Sequence, residues 1–259
     1  MTTAYLLYTA KRSGAASIEV MLRALGLEFE AKDATPWSDP PGPYFDELKT
    51  VNALGQLPTL VTPGGEVLTE SVAMLWTLLE RHPSDWVPAV STRARATCLR
   101  WMQFAASTVY AAVGVADYPA RWTTSRSAAA RAAVERAAVT RMQLGWDIIA
   151  RAFPQKTGFL LGDRPQVCDV YLANLSRWWK MRDYLREHHP TFAALMQRVD
   201  ELPEVAPVWA WHFSWTTAMP ATIRDLRRHR PCGAECSPGS FRRALAAISS
   251  AGSTRVLTS

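Results

Sequence analysis

Cysteine is scarce in this chain: Cys98, Cys168, Cys232 and Cys236 are the four in 259 residues, and none forms a CxxC pair. That spacing excludes a disulfide framework and offers no structural zinc or dithiol redox centre, so reduced thiols are expected. Long apolar runs are also missing. No stretch approaches the roughly 18 residues that a membrane span needs, and the first twenty residues carry Lys11, Arg12 and Glu19 where a signal peptide would have its apolar centre. A cytoplasmic protein without a membrane partner is expected. Most of the chain also lacks an excess of either charge. The net charge of +6 is concentrated after residue 219, where seven arginines face two acidic residues. The rest is close to neutral, which argues against a nucleic-acid partner.

What is present is a core-forming composition, 48% hydrophobic and 20% charged, enough for two modest domains. Tyr5–Tyr8 is a short apolar strand. Ile18, Met21, Leu22 and Leu25 then recur at helical spacing up to Gly26, and Leu27–Lys32 alternates like a strand. Strand, helix and strand in that order call for a parallel pair with a crossover. After a loop over Thr35–Pro43 and a short helix or irregular segment over Tyr44–Val51, Leu57–Thr62 and Glu66–Leu68 flank Pro63-Gly64-Gly65 as a hairpin, and Ser71–Arg81 is an amphipathic helix.

Beyond Pro83 the pattern becomes helical throughout, with helices expected over Ser91–Val115, Ser125–Phe153, Gln166–Arg182, Thr191–Leu202 and Glu204–His212. The expected organisation is an α/β domain over 1–82, a linker over 83–93, an all-helical domain over 94–218 and a basic, flexible tail over 219–259, with a short helix at Phe241–Ile248.

Two short stretches carry chemistry. In "NALGQLPTL", Asn52–Leu60, the bond before Pro58 can be cis. A cis turn there would leave the Leu57 N–H and C=O facing outward, as an edge on which an extended peptide can pair; an ordinary trans turn is the alternative. In "LTES", Leu68–Ser71, a hydroxyl beside the free N–H groups of a helix start makes a carboxylate site, and Glu70 offers a partner for an ammonium. The alternative is simple helix capping.

In combination, the strand-first unit, "NALGQLPTL", "LTES" opening a helix, and an all-helical second half resemble the glutathione S-transferase superfamily over about residues 4–215. The resemblance implies a thioredoxin-like first domain and glutathione as cosubstrate. It assigns Leu57 and Pro58 to the cysteinyl backbone of glutathione, Glu70 and Ser71 to its γ-glutamyl end, and Lys49 or Gln56 to its glycyl carboxylate. "LLGDRPQVCDVYLANL", Leu160–Leu175, matches in part the family's capping box for a buried helix: Gly162, Asp163 and Asp169 stand, but Gln166 replaces the hydroxyl residue. A helix start weakened by roughly 1 kcal/mol is expected.

Glutathione attacks as a thiolate, and lowering its thiol pKa by about 2 units takes roughly 2.7 kcal/mol of preferential stabilisation. Ser13, between the first strand and the first helix, matches the donor of serine-type members, and Tyr8 resembles that of tyrosine-type members. With no cysteine before Cys98, cysteine-type chemistry is not expected. Tyr110, Tyr118, Arg121 and Trp122 are the candidates for an acceptor pocket between the domains.

The resemblance thus implies a homodimeric transferase of detoxification type, acting on a small hydrophobic electrophile without a metal. Glutathione-dependent isomerisation, dehalogenation or thiol reduction, and a non-catalytic binding module on the same fold, are the alternatives.

Overall fold

A computed structural model of the chain describes residues 4–153 and 158–213. The tail over 219–259, the helix expected at Phe241–Ile248, and Cys232 and Cys236 lie outside the described residues. The elements are β1 (Tyr5–Thr9), α1 (Ala15–Ala24), β2 (Phe29–Asp33), α2 (Phe45–Val51), β3 (Thr59–Val61), β4 (Val67–Leu68) and α3 (Ser71–Arg81), followed among the described residues by helices only. This is a thioredoxin-like α/β domain joined to an all-α part. The sheet order is β2-β1-β3-β4, with β1 parallel to β2 and the other pairs antiparallel.

Alternation along β1 builds the two faces. Tyr5 and Leu7 pack with Ile18, Met21 and Leu22 of α1 and Met74, Leu75 and Leu78 of α3, while Leu6 and Tyr8 turn to the other face with Leu48 of α2. Gly26, at φ +65°, follows the last turn of α1 in the left-handed conformation that glycine adopts most easily.

The helical part comprises α4 (Arg93–Phe104), a π-helical segment (Ala105–Tyr110), α5 (Ala111–Asp117), α6 (Ala128–Ala152), α7 (Val167–Leu175), α8 (Met181–His188), α9 (Pro190–Asp200) and α10 (Ala206–His212). Thr92 and Ser127 cap α4 and α6, accepting from the N–H groups of Arg95 and Ala130.

The single helix expected over Gln166–Arg182 is two helices. The chain turns at Trp179 and Lys180, both with positive φ, and Arg182 folds back to donate to Ser176 Oγ at 2.8 Å and Ala173 O at 3.1 Å. The guanidinium thereby satisfies a carbonyl at the end of α7 that a continuing helix would have used. At the other end of α7, Asp169 accepts from the N–H groups of Gln166 at 2.8 Å and Leu160 at 2.9 Å. The Gln166 amide instead donates to Asp85 O at 3.0 Å, tying the linker to the helix start. Cys98 and Cys168 are buried free thiols.

Candidate functional site at the end of the sheet

The site begins with strand register. Leu60 opposes Leu68 and Val61 opposes Val67, so the chain enters β3 through Leu57–Pro58 at the same end of the sheet from which β4 leads into Glu70–Ser71 and α3. On the other side Leu7 opposes Leu60 and Tyr8 opposes Thr59, so β1 also runs out at this end, toward Ala10. The segments that carry Ala10, Leu57 and Ser71 therefore enter or leave the sheet at one end. Ser13 is tied to that end by donating from Oγ to Ala10 O at 2.7 Å.

The Leu57–Pro58 peptide is cis. Around it, Asn52 Nδ2 donates to Thr59 Oγ1 at 3.0 Å, and Thr59 Oγ1 donates to Gln56 O at 2.9 Å. The backbone N–H and C=O of Leu57 take no hydrogen-bond partner among the described residues. Pro58 itself is buried, Leu57 half-buried and Gln56 exposed.

Across from them Glu70 has φ +63° and ψ +108°, a conformation that costs a non-glycine residue about 1–3 kcal/mol and is concentrated at ligand sites. Its exposed carboxylate makes no hydrogen bond or ion pair with the described residues. Because Glu70 O first accepts from Met74 N, the N–H groups of Ser71, Val72 and Ala73 are left without helical partners at the positive end of α3.

The Ser71 hydroxyl turns inward, 3.0 Å from Tyr171 Oη of α7. Burial raises the Tyr171 pKa, with the Ser71 hydrogen bond opposing it. The contact joins the start of α3 to the helical part. Tyr171→Phe is expected to cost about 1 kcal/mol, read as a lower urea midpoint with an unchanged slope.

Ser13 is buried, with its hydrogen on Ala10 O and its oxygen accepting from Ala15 N–H at 3.2 Å. Tyr8 is also buried and donates to Glu47 Oε1 at 2.5 Å; burial and that bond raise its pKa. Lys49 pairs with Asp46 at 2.6 Å and lies over the Phe45 ring.

Tyr110 and Tyr118 are eight residues apart along a helical run, about 12 Å. Arg121 stacks on Tyr118, its guanidinium 4.1 Å from the ring centroid, and Trp122 is 62% exposed. Tyr110 lies against Gly14 in the β1–α1 turn. Sequence reading did not find Gly14 or Tyr171; the glycine directly after Ser13 was the one local hint of close approach.

A family model described as "Glutathione S-transferase, N-terminal domain" matches residues 15–92. Among curated proteins, an uncharacterised GST-like protein of Escherichia coli strain K12, YncG, is 26% identical over 197 residues, covering 75% of this chain and 92% of its own. Among solved structures, a Sulfitobacter glutathione transferase homologue with bound glutathione superposes with TM-score 0.69 at 18% identity, over 80% of this chain and 97% of that one. The ternary complex of BphK, a bacterial GST, superposes with TM-score 0.67 at 21% identity, over 80% and 98%.

Proposed function

We propose, for a chain that belongs to the glutathione S-transferase superfamily, that it binds glutathione at this end of the sheet and activates its thiol for attack on a hydrophobic electrophile. The observation that carries the reading is the antiparallel β3–β4 pairing, which brings the Leu57–Pro58 turn and the Glu70–Ser71 helix start to the same end of the sheet. An extended tripeptide laid across that end would pair its cysteinyl backbone with the unpartnered Leu57 N–H and C=O, as an added strand does. Its γ-glutamyl carboxylate would meet the free N–H groups of α3, and its ammonium the Glu70 carboxylate. Gln56, exposed and next to Leu57, is better placed than the ion-paired Lys49 for the glycyl carboxylate.

In the reaction the thiol proton passes to solvent and the sulfur lone pair forms a bond to the electrophilic atom of the acceptor. Any leaving group departs with the bonding pair. The helical part would supply the acceptor side, with Tyr118, Arg121 and Trp122 as its candidate residues. The homodimer implied by the resemblance belongs to this proposal.

Calorimetric titration with glutathione tests it. Binding is expected, and Glu70→Ala should weaken it about tenfold or more by removing a charge-assisted contact. Turnover of a generic aromatic electrophile should fall with it. No heat of binding with millimolar glutathione would overturn the reading.

A further inference from the structure

The β1–α1 turn holds a hydroxyl that comes from the other domain. Gly14 has φ −61° and ψ −13°, ordinary right-handed backbone, so its lack of a side chain serves space and not conformational freedom. A Cβ at position 14 would stand 2.6 Å from Tyr110 Oη, 3.2 Å from its Cζ and 3.3 Å from its Cε1. The Tyr110 phenol occupies the volume that any side chain at the start of α1 would fill.

Tyr110 reaches this position because it ends the π-helical segment Ala105–Tyr110, a departure from α geometry that alters the direction of the side chains it carries and recurs at functional sites. Its ring packs on Trp178, with centroids 5.8 Å apart. From α7, Asn174 Nδ2 approaches Gly14 O at 3.5 Å, and Asn174 Oδ1 is buried without a partner among the described residues. The turn itself carries two cations, Lys11 and the half-buried Arg12 at φ +59°.

Of the hydroxyls at the end of β1 and in the turn after it, Thr9 Oγ1 is buried without a partner among the described residues, whereas Ser13 and Tyr8 have their hydrogens committed. Ser13 donates to Ala10 O and Tyr8 to Glu47 Oε1. Tyr110 differs from both: its Oη lies beside the Gly14 amide, and no described residue accepts its hydrogen. Burial pushes its pKa up to about 12, with the Gly14 N–H opposing, so the phenol keeps its proton at neutral pH.

We propose that Tyr110 is the catalytic hydrogen-bond donor to the glutathione sulfur, delivered from the helical domain into the space Gly14 leaves open. The inference rests on the glutathione-binding reading above and moves Tyr110 from the acceptor wall to the thiol. In the ionisation step the S–H bond breaks, its proton goes to bulk water, and Tyr110 keeps its own proton while donating to the thiolate. The N-terminal end of α1 and the Lys11 and Arg12 charges favour the same ion.

The test is a pH titration of thiolate absorbance in the ultraviolet, with glutathione bound to the full chain. Tyr110→Phe, which keeps the ring on Trp178, is expected to raise the midpoint by about one pH unit and slow turnover near neutrality roughly tenfold. Its calorimetric affinity for glutathione should stay within about threefold of wild type. Gly14→Ala, which displaces Oη without deleting it, should raise the midpoint in the same direction.

An unmoved midpoint in Tyr110→Phe with binding intact overturns this inference alone. A shift in Ser13→Ala or Tyr8→Phe with none in Tyr110→Phe returns the role to the first domain and also overturns it. Failure of wild type to bind glutathione overturns the reading of the site and this inference with it.

Discussion

Alanine in place of Asp200 is expected to cost about 3–5 kcal/mol of stability, the range for breaking a buried ion pair from one side. The carboxylate is a hub. Oδ1 pairs with Arg177 at 2.8 Å and accepts from Trp209 Nε1 at 2.9 Å, while Oδ2 takes Arg182 at 2.7 Å. The side chains of all three charged residues are 17% exposed or less. Removing the carboxylate leaves two guanidiniums with little water to replace it, and burial already lowers the Arg182 pKa against the attraction of Asp200.

The consequence reaches further than a surface pair would, because Arg182 also closes the end of α7 and Trp209 belongs to α10. A fall in melting temperature of roughly 6–20 °C is expected for a chain of this size. The double variant Asp200→Ala with Arg182→Met should recover part of the loss, since one stranded charge is gone. If it is no more stable than Asp200→Ala, uncompensated charge is not the cause.

The elements around the site were legible where the signal is local. The helix expected at Ser71–Arg81 is α3 with the same bounds, because the apolar period begins at the first residue after a turn. The hairpin was marked by Pro63-Gly64-Gly65, and the parallel β1–β2 pair by strand, helix and strand in order. That the segments carrying Ala10, Leu57 and Ser71 share one end of the sheet needed the strand pairing, which no single segment carries. Ser71 meeting Tyr171 spans 100 residues, and Tyr110 meeting Gly14 is of the same kind; local periodicity contains neither.

The break between α7 and α8 escaped for a different reason. Trp179 and Lys180 take positive φ without glycine or proline to announce it, held by a guanidinium that caps from the next helix. At the start of α7 the Asp169 half of the capping box, legible in the sequence, is formed on the Gln166 N–H, while its second bond, from the Leu160 N–H, comes from nine residues back and has no local signal.

The second large effect lies under α1, the helix whose start carries Ser13 and Gly14. Glu19, on its buried face, accepts from Arg23 through Oε1 at 2.8 Å and holds His212 Nε2 of α10 through Oε2 at 3.0 Å. The two side chains of the Glu19–His212 contact are 6% and 0% exposed. Burial by itself would raise the Glu19 carboxyl, but the hydrogen bonds from His212 and Arg23 outweigh it and hold its pKa below the usual carboxylate value.

A folded pKa below the unfolded one means that the unfolded chain binds more protons in that window. The stabilisation is therefore full above about pH 4.3 and disappears as pH falls through the folded value. Glu19→Ala is expected to cost about 3 kcal/mol near neutral pH. The gap between variant and wild type should narrow as pH falls below about 4. Urea unfolding of both proteins at neutral and acid pH measures that gap. A gap that stays constant across the range would mean that lost packing, not the charged contact between α1 and α10, is what Glu19 contributes.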